Sequence, residues 1–403
     1  RVKIKYAKGC SLASLDTSGI AEAVDAARHS DVALIFVGSS STAFVRHTQE
    51  PSTSGEGIDL SDISLTGAQE QLIREVFAVG KPVVVILVAG KPFAIPWVKE
   101  NIPAILAQWY AGEQEGNSIA DILFGNVNPS GKLTFSFPQS TGHLPVYYNY
   151  LPTDKGYYKE PGTYEKPGRD YVFSNSSPLW AFGYGLSYTQ FEYLKAVTDK
   201  ELYQANDTVC VTVQLKNTGK RTGKEVIQVY MRDVVSSVMT PVKQLKGFRK
   251  VDLLPGQTRE TTIMIPVHEF YLTDDLGNRY LESGKFELQV GTSSDRIYFN
   301  LPVYIGSSGK GGQTVSGTSF KSRTDGKVIQ VKGTVRDIQA TPLARVKVQS
   351  EESGESALTD YRGTYTIKVK DNGRLIFSKK GFADKTIEVE GQTDVSIQMA
   401  KGE

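Results

Sequence analysis

The sequence predicts a multidomain protein in which an α/β sandwich with a mostly parallel sheet precedes two all-β immunoglobulin-like sandwiches. Its 403 residues exceed the size of one ordinary domain, so two or three domains are expected. Up to about residue 138, apolar runs of strand length alternate with helical spacing, whereas short strands with period-2 alternation dominate after about residue 200. A Gly/Ser-rich stretch then separates a last β segment from the rest.

Composition narrows the possible functions. The 46 Lys and Arg residues nearly balance the 44 Asp and Glu residues, so no global field favours nucleic acid as a partner. No apolar run approaches the roughly 20 residues that a membrane span needs, and none is predicted. Cys10 and Cys210 fall in different predicted domains, so neither a disulfide framework nor a metal knuckle is indicated.

Residues 1–138 are predicted to form the α/β domain. Strands are expected at residues 2–6, 32–37, 83–88, 104–108 and 133–137, and helices near residues 20–27, 66–79 and 119–123. Apolar strands separated by helices favour a parallel sheet that is covered on both faces. Such sheets bind ligands in the crevice beyond the carboxyl ends of their strands.

Residues 139–200 are rich in Pro, Gly and Tyr and lack clear periodicity, which indicates an irregular wrap or linker. Tyr147, Tyr148 and Tyr150 of this segment could stack on sugar rings or pack the segment against a neighbouring domain. We prefer the packing interpretation, because aromatic side chains also fill ordinary cores.

Residues 201–305 are predicted to form the first all-β sandwich, of immunoglobulin or fibronectin type. Strands are expected at residues 209–215, 226–230, 261–265 and 285–290, with turns at 217–219 and 254–256. A Gly/Ser linker is expected over residues 306–326. Residues 327–403 then form a second β-sandwich for association or stability, with strands at 328–335, 344–349, 363–369, 374–377 and 395–399.

One loop of the α/β domain concentrates carboxylates. Glu56 stands between Gly55 and Gly57 after the predicted strand at residues 32–37, and Asp59 and Asp62 follow it. The flanking glycines leave this carboxylate uncrowded, which suits a proton donor, although a solvated turn residue would look the same. Asp62 could equally be a turn or capping residue.

The sequence does not indicate a metal site, a nucleotide-binding site or a serine nucleophile. His29, His47, His143 and His268 show no metal-ligand spacing, so each is interpreted as structural and no metal site is predicted. Phosphate-binding loops, dinucleotide fingerprints and serine nucleophile elbows do not occur in their required contexts. No cofactor is therefore expected.

Four segments, in order, resemble glycoside hydrolase family 3, the β-glucosidase and β-xylosidase family. They are the Ser-Gly-Glu-Gly-Ile-Asp run and its continuation at residues 54–70, residues 108–113 together with 120–125, Asn-Pro-Ser-Gly-Lys-Leu at 128–133, and residues 178–189. The resemblance covers about residues 1–305, and residues 201–305 resemble the family's fibronectin type III-like domain. Residues 333–337, 342–343 and 359–365 resemble the regulatory-like domain of carboxypeptidases.

The family resemblance implies retaining hydrolysis of β-linked glycosides, with Glu56 as general acid and then general base. The nucleophilic Asp would lie on a preceding (β/α)8 barrel, which is absent from these 403 residues. This chain alone is therefore expected to be inactive. Leu60 stands where the family commonly has Arg, so an ion pair that shapes this loop in relatives is lost. Phe44 and Arg46, in the loop at residues 39–53, are expected to line the sugar site, with an exposed loop that has no such role as the alternative.

The resulting prediction is the C-terminal part of a secreted or periplasmic exo-acting β-glucosidase whose partner is a β-linked oligosaccharide. A β-xylosidase of the same family is one alternative. A non-catalytic carbohydrate-binding or adhesion protein is another, motivated by the absent nucleophile and the appended modules. A separate barrel subunit that docks to this chain is a third.

Overall fold

A computed structural model describes residues 2–41, 52–54, 59–153, 163–167, 171–306, 327–351, 353–371, 373–389 and 391–401. The chain divides into two compact units, Arg1–Thr314 and Val315–Glu403. None of the helices in the described ranges combines the length and apolar character that crossing a membrane would require.

The first unit opens with an α/β layer. Its described elements are α1 (Ile20–Arg28), β1 (Ala33–Gly38), α2 (Gln69–Phe77), β2 (Val83–Val88), α3 (Pro96–Asn101), β3 (Ala104–Ala107) and α4 (Glu115–Leu123). The strands pair in the order β1-β2-β3, and both pairings are parallel, as predicted. Parallel neighbours need crossover connections, which α2 and α3 provide here.

One face of this sheet carries the core of the layer. Ile35 and Val37 of β1 and Val85 of β2 are almost completely buried. They join a single cluster with Ile73 of α2 and Val98 of α3. Burying an aliphatic side chain of this size contributes about 1.5–3 kcal/mol, so the cluster supplies the main driving force for the layer.

The strand predicted at residues 2–6 does not form. Val2, Ile4 and Tyr6 are 68%, 89% and 83% exposed, and no strand in the described ranges pairs with them. Alternation alone predicted this strand, but a strand also requires a neighbour to receive its backbone hydrogen bonds. The prediction was therefore wrong for the structure of this chain.

The predicted strand at residues 133–137 does not join the parallel sheet either. Leu133 N–H donates to Tyr184 O (2.8 Å), Phe137 N–H donates to Trp180 O (2.8 Å), and Leu179 N–H donates to Phe137 O (2.7 Å). Its backbone thus pairs with the irregular segment around residue 180, and only an isolated antiparallel bridge is formed. The apolar alternation has a different cause, since Phe137 fills the layer's core.

The remainder of the first unit is all β, apart from two short 3-10 helices, Thr141–His143 and Val267–Phe270. The strands are β4 (Phe191–Thr198), β5 (Leu202–Tyr203), β6 (Thr208–Asn217), β7 (Gly223–Asp233), β8 (Gln244–Leu253), β9 (Thr258–Pro266), β10 (Leu272–Thr273), β11 (Arg279–Tyr280), β12 (Gly284–Gly291) and β13 (Ile297–Ile305). A three-stranded sheet, β4-β6-β9, and a five-stranded sheet, β5-β13-β12-β7-β8, share one core, and β10 pairs with β11. All four strands predicted in this region lie within observed ones.

The second unit is also built from strands. They are β14 (Val328–Asp337), β15 (Lys347–Ser350), β16 (Ser356–Leu358), β17 (Thr364–Lys370), β18 (Arg374–Ser378), β19 (Lys385–Glu388) and β20 (Ile397–Met399). They form the sheets β17-β14-β20 and β16-β15-β18-β19 around a separate core. Alternating burial along β14, β15 and β17 explains why the period-2 pattern predicted them.

A polar seam joins the α/β layer to the β-sheets of the first unit; it comprises Asn128, Lys132, Glu225 and Gln228 with their partners. Lys132 Nζ lies 2.8 Å from Glu225 Oε1, and the two side chains are only 12% and 7% exposed. Asn128 Oδ1 accepts hydrogen bonds from Ser187 Oγ (2.9 Å) and Tyr188 N–H (2.8 Å). Its Nδ2 donates to Thr222 O at 2.9 Å. These bonds explain the Asn-Pro-Ser-Gly-Lys run as a structural motif.

Gln228 completes the seam from the side of β7. Its Nε2 donates to Gly183 O at 3.1 Å, and its Oε1 accepts a hydrogen bond from the Tyr230 hydroxyl. Gly183 has a φ of +84°, and a Cβ there would lie 2.1 Å from Gln228 Oε1. The position therefore requires glycine for both backbone and space.

Tyr148 packs rather than projecting into solvent. Its ring stacks on Phe182 with centroids 4.1 Å apart, and its hydroxyl accepts a hydrogen bond from Leu245 N–H at 3.2 Å. Tyr147 is 67% exposed and Tyr150 is 46% exposed. The preferred packing interpretation therefore holds for Tyr148, whereas Tyr147 is mostly exposed.

Candidate functional site

The candidate site is the crevice at the carboxyl ends of β1, β2 and β3. We use "crevice" for the described residues that follow these strands, namely 39–41, 89–93 and 108–110, together with 52–54 and 59–65. Ligands of parallel α/β sheets bind at this edge because the connecting loops diverge there. The crevice also receives the chain on both sides of the predicted acid/base loop.

The predicted site residues Glu56, Phe44 and Arg46 lie outside the described residues, so their roles stay predictions. Thr53 N–H and Ser54 N–H both donate to Ser40 O, at 2.9 and 3.1 Å. Ser40 N–H in turn donates to Thr53 Oγ1 at 3.0 Å. These bonds hold Thr53 and Ser54, three and two residues before Glu56, beside the end of β1.

Gln69 fixes the end of β1 from α2. Its Oε1 accepts from Gly38 N–H at 2.7 Å, and its Nε2 donates to Gly38 O at 3.0 Å and to Leu12 O at 2.9 Å. The side chain is 1% exposed, so these bonds form in a low-dielectric setting that strengthens them. Gly38 also allows close approach of β2, since a Cβ there would lie 1.9 Å from Val88 O.

Asp62 is a turn residue in this structure, one of the two roles considered from the sequence. Its carboxylate accepts from Ser64 N–H and Ser64 Oγ, both at 2.9 Å, and from Thr141 Oγ1 at 3.1 Å. These bonds, the Ser64 backbone bond foremost, lower the pKa of the Asp62 carboxyl and keep it ionised. Asp59 is exposed.

Lys91 places its ammonium group in the crevice. Its Nζ is shielded from solvent and has no hydrogen-bond partner within the described part of the chain. The ammonium lies over the Phe93 ring, 3.9 Å from the centroid. Burial lowers the pKa of Lys91 to about 8, and the negative charge of Asp62 opposes this shift.

Gln108 and Trp109 mark the same edge beyond β3. Gln108 Oε1 is buried without a hydrogen-bond partner among the described residues. Trp109 adopts a φ of 63°, a left-handed conformation that costs energy for a bulky residue and is frequent at functional sites. The Tyr110 hydroxyl donates to Ser39 O at 3.0 Å and thereby ties the β3 loop to the β1 loop.

The sequence analysis did not predict that Lys91 and Gln108 are site residues. Gln108 Oε1 has no hydrogen-bond partner among the described residues. A signal was present for Lys91, because it lies three residues after Val88, the last residue of the buried strand β2, at the carboxyl edge. Proton donors and acceptors in such a crevice suit hydrogen bonding to hydroxyl-rich ligands and proton transfer. No group of three His, Cys, Asp or Glu side chains in the described ranges is placed to hold a metal ion.

Among the histidines, His143 is buried and fully engaged. Gln139 N–H donates to its Nδ1 at 3.2 Å, and its Nε2 bonds Ser176 O at 3.1 Å. With Nδ1 as acceptor, Nε2 carries the proton and donates it. This arrangement agrees with the structural role predicted for the histidine.

Comparison with known families gives two matches. Residues 3–188 match the glycosyl hydrolase family 3 C-terminal domain. Residues 225–294 match the fibronectin type III-like domain. Both identifications agree with the family resemblance drawn from the sequence motifs.

Curated relatives carry glycosidase names. A beta-xylosidase of Formosa agariphila is 40% identical over 297 residues, which cover 73% of this chain and 38% of the relative. A periplasmic beta-glucosidase of Salmonella typhimurium is 39% identical over 279 residues, covering 69% of this chain and 35% of the relative. The chain thus spans less than two fifths of either protein.

A solved structure resembles the same region. The crystal structure of a beta-glucosidase from Listeria innocua in complex with glucose superposes with a TM-score of 0.63 at 33% identity. The match covers 74% of this chain and 39% of the solved one.

Proposed function

Because this chain carries a glycosyl hydrolase family 3 C-terminal domain, we propose that it is the C-terminal part of a retaining, exo-acting β-glycosidase, with β-glucosidase as the main activity. The observation that carries the proposal is the identity of 39% to a periplasmic beta-glucosidase over 279 residues, 69% of this chain. The solved beta-glucosidase from Listeria innocua supports the same reading.

Glu56 is the proposed general acid/base. A retaining enzyme needs two carboxyl groups about 5–5.5 Å apart, one protonating the leaving group and one attacking the sugar. The attacking Asp is proposed to lie on a (β/α)8 barrel that precedes residue 1. Support for Glu56 comes from its neighbours Thr53 and Ser54, which hydrogen-bond beside the carboxyl end of β1, where substrates of such sheets bind.

The decisive experiment replaces Glu56 by Gln in the longer polypeptide that includes the preceding chain. Hydrolysis of glucose disaccharides should fall about 100- to 10,000-fold, because their leaving groups require protonation. A dinitrophenyl β-glucoside needs no such protonation, so its glycosylation step should fall much less. Azide should restore turnover by attacking the glycosyl-enzyme without base catalysis.

Asp62→Asn is the matched control. This change also removes a carboxylate of the same loop region, but Asp62 serves Ser64 and Thr141 in the structure. Disaccharide hydrolysis should stay within about tenfold of the unmodified enzyme. Unchanged disaccharide hydrolysis by Glu56→Gln would rule out the acid/base role.

β-Xylosidase is the second candidate activity, favoured by the 40% identity to the beta-xylosidase of Formosa agariphila. Parallel assays with nitrophenyl β-glucoside and β-xyloside separate the two, since they differ only in the C6 hydroxymethyl group of the sugar. Activity on neither substrate by the longer polypeptide would favour a non-catalytic carbohydrate-binding protein instead.

Two further assignments belong to this proposal. A periplasmic or secreted location is supported by the periplasmic relative from Salmonella typhimurium, and cell fractionation tests it. The second unit is proposed to be a carboxypeptidase regulatory-like module, supported by the motifs at residues 333–337 and 359–365 and by its two small sheets.

A further inference from the structure

A cavity of about 210 Å³ lies at the end of the five-stranded sheet, where the loop at residues 234–243 joins β7 to β8. We call it the loop cavity. Met231, Asp233 and Leu272 line it and are buried. Met239 also lines it but is 72% exposed, so the loop cavity opens to solvent. Its volume equals that of about seven water molecules.

Asp233 places a carboxyl group on the wall of the loop cavity. The residue is 9% exposed, and neither carboxylate oxygen has a hydrogen-bond partner among the described residues. Val235 N–H and the Ser236 hydroxyl lie near enough to lower its pKa, but neither forms a hydrogen bond of ordinary geometry with it. Leaving a buried carboxylate unpaired is costly, so buried charges in proteins are normally paired and hydrogen-bonded.

The charge next to this carboxyl group is negative as well. Burial, and then the Glu282 carboxylate, raise the pKa of Asp233 to about 6. No cation is among the groups that shift this pKa. At pH 7 Asp233 is therefore mostly ionised, and a cation that enters the loop cavity meets an unpaired negative charge with a second one nearby.

Glu282 also fixes the loop that forms one wall of the loop cavity. Its Oε2 accepts hydrogen bonds from Ser237 N–H at 3.0 Å and from Ser237 Oγ at 3.1 Å. Near the end of the loop, Val242 N–H donates to Tyr150 O at 2.9 Å. These anchors hold the wall in place without a ligand, and a preformed cavity lowers the entropic cost of binding.

The lining indicates which ligands fit. Apolar side chains supply much of it and suit an aliphatic body; they are Met231, Val238, Met239, Pro241 and Leu272. The carboxylate among them suits an ammonium group, or a guanidinium whose planar fork donates two parallel hydrogen bonds. A divalent metal ion fits less well, because Ca²⁺ and Mg²⁺ take about six or more oxygen ligands. In the described ranges no three His, Cys, Asp or Glu side chains are grouped to hold a metal ion.

We propose that the loop cavity binds an aliphatic organic cation, with its guanidinium or ammonium head against Asp233 and its alkyl part against Met231 and Met239. The ligand completes the hydrogen bonds of a carboxylate that the described chain leaves unpaired. This site belongs to the fibronectin type III-like domain at residues 225–294 and does not depend on the reaction proposed for Glu56.

Isothermal titration calorimetry of the 403-residue chain with butylguanidinium, at low ionic strength and about pH 7.5, tests the proposal. A dissociation constant of about 1 mM or below is expected for a ligand of this size. 1-Pentanol has a similar alkyl body without the charge and should bind at least about tenfold more weakly. Asp233→Asn removes the charge and keeps the shape, so it should weaken butylguanidinium binding at least about tenfold.

Asp252→Asn is the matched control. Asp252 is an exposed carboxylate on β8 of the same sheet, so this variant should bind butylguanidinium as the unmodified chain does.

Thr240→Arg tests the site without removing its carboxylate. Thr240 lines the loop cavity, so an arginine side chain at this position can lie along the apolar wall and place its guanidinium beside Asp233. Butylguanidinium binding should be lost. The unfolding midpoint measured by differential scanning calorimetry should rise by about 2 °C or more, because the buried carboxylate gains a partner.

N-Acetylarginine methylamide distinguishes two sources of the same cation. Binding at least about tenfold tighter than that of butylguanidinium would support an arginine side chain presented by a polypeptide. Equal or weaker binding would support a free small cation. Either result requires that the binding be lost in Asp233→Asn.

Three outcomes would overturn the proposal. The first is that butylguanidinium does not bind to the unmodified chain. The second is that 1-pentanol binds as well as butylguanidinium, or that Asp233→Asn binds butylguanidinium as well as the unmodified chain does. The third is that Ca²⁺ binds in place of the organic cation and is lost in Asp233→Asn, which would identify a metal site instead.

Discussion

The seam and the crevice differ in how their buried polar groups are hydrogen-bonded. At the seam, Lys132 meets Glu225 at 2.8 Å and Asn128 uses both ends of its amide. In the crevice, Lys91 Nζ and Gln108 Oε1 are buried without hydrogen-bond partners among the described residues. A saturated set of bonds holds two structures together, whereas unsatisfied groups cost stability and are retained where a ligand or another segment completes them. The two regions therefore differ in how completely their buried polar groups are hydrogen-bonded within the described residues.

Among the substitutions that test this difference, Glu225→Ala at the seam is expected to have the largest effect on stability. The change leaves the Lys132 ammonium buried, with the Gly185 carbonyl as its remaining partner among the described residues, so we expect a loss of about 3–5 kcal/mol in the free energy of unfolding. Denaturant unfolding followed by tryptophan fluorescence measures it. Glu192→Ala, at an exposed position of β4, should cost no more than about 0.5 kcal/mol. A loss below about 1 kcal/mol for Glu225→Ala would mean that the pair is not structural.

A smaller effect is expected for Asn128→Ala. Three hydrogen bonds are lost, and each typically contributes about 0.5–1.5 kcal/mol, so the unfolding free energy should fall by about 2 kcal/mol. Asn126→Ala serves as the control, because Asn126 makes a single 3.2 Å bond to Asp121 in an exposed setting. If both substitutions have the same effect, the role assigned to Asn128 is wrong.

The smallest effect, with the opposite sign, is expected for Lys91→Met. The native pKa of Lys91, about 8, lies below its unfolded value of 10.5, so the native protein binds fewer protons between these values. Stability should therefore rise from pH 8 to 10.5 in the unmodified chain, and this rise should shrink in Lys91→Met. At pH 7, where both states are protonated, the variant should be more stable by up to about 1 kcal/mol.

Lys99→Met is the control for this pH profile. Lys99 Nζ donates to Leu179 O, so its loss should destabilise the chain by about 1 kcal/mol, and the rise that Lys91 contributes between pH 8 and 10.5 should persist in this variant. Thermal unfolding at a series of pH values measures both variants. If the Lys91→Met protein is less stable than the unmodified chain at pH 7, the interpretation that burial of the Lys91 ammonium costs stability is wrong.

The sequence predicted those elements whose pattern arises from local burial. Residues 209–215 lie within β6, where Val209, Val211, Val213 and Leu215 are fully buried between exposed or half-buried neighbours, so the alternation was readable. Residues 2–6 alternate as well, but no described strand receives their hydrogen bonds. Residues 133–137 pair with a segment more than 40 residues away, which periodicity cannot reveal.

The site was predictable in part. The Ser-Gly-Glu-Gly run, and its position after an apolar strand, could be read from the residues. The lowered pKa of Lys91 could not be predicted from the sequence, because it depends on how Phe93 and Asp62 are arranged around the ammonium group. The motifs at residues 128–133 and 178–189 signalled the family, yet the structure shows that they build the seam and not the crevice.

The bonds between Ser40 and Thr53 close the segment of chain that follows β1. The chain leaves β1 and returns at one point, so twelve residues, 41–52, begin and end a few ångströms apart. Lengthening a closed segment is inexpensive, since doubling its length costs only about 0.6 kcal/mol of closure entropy. Insertions and deletions between these anchors should therefore leave the sheet undisturbed, and under the proposed function they are the positions where libraries aimed at new substrates would begin.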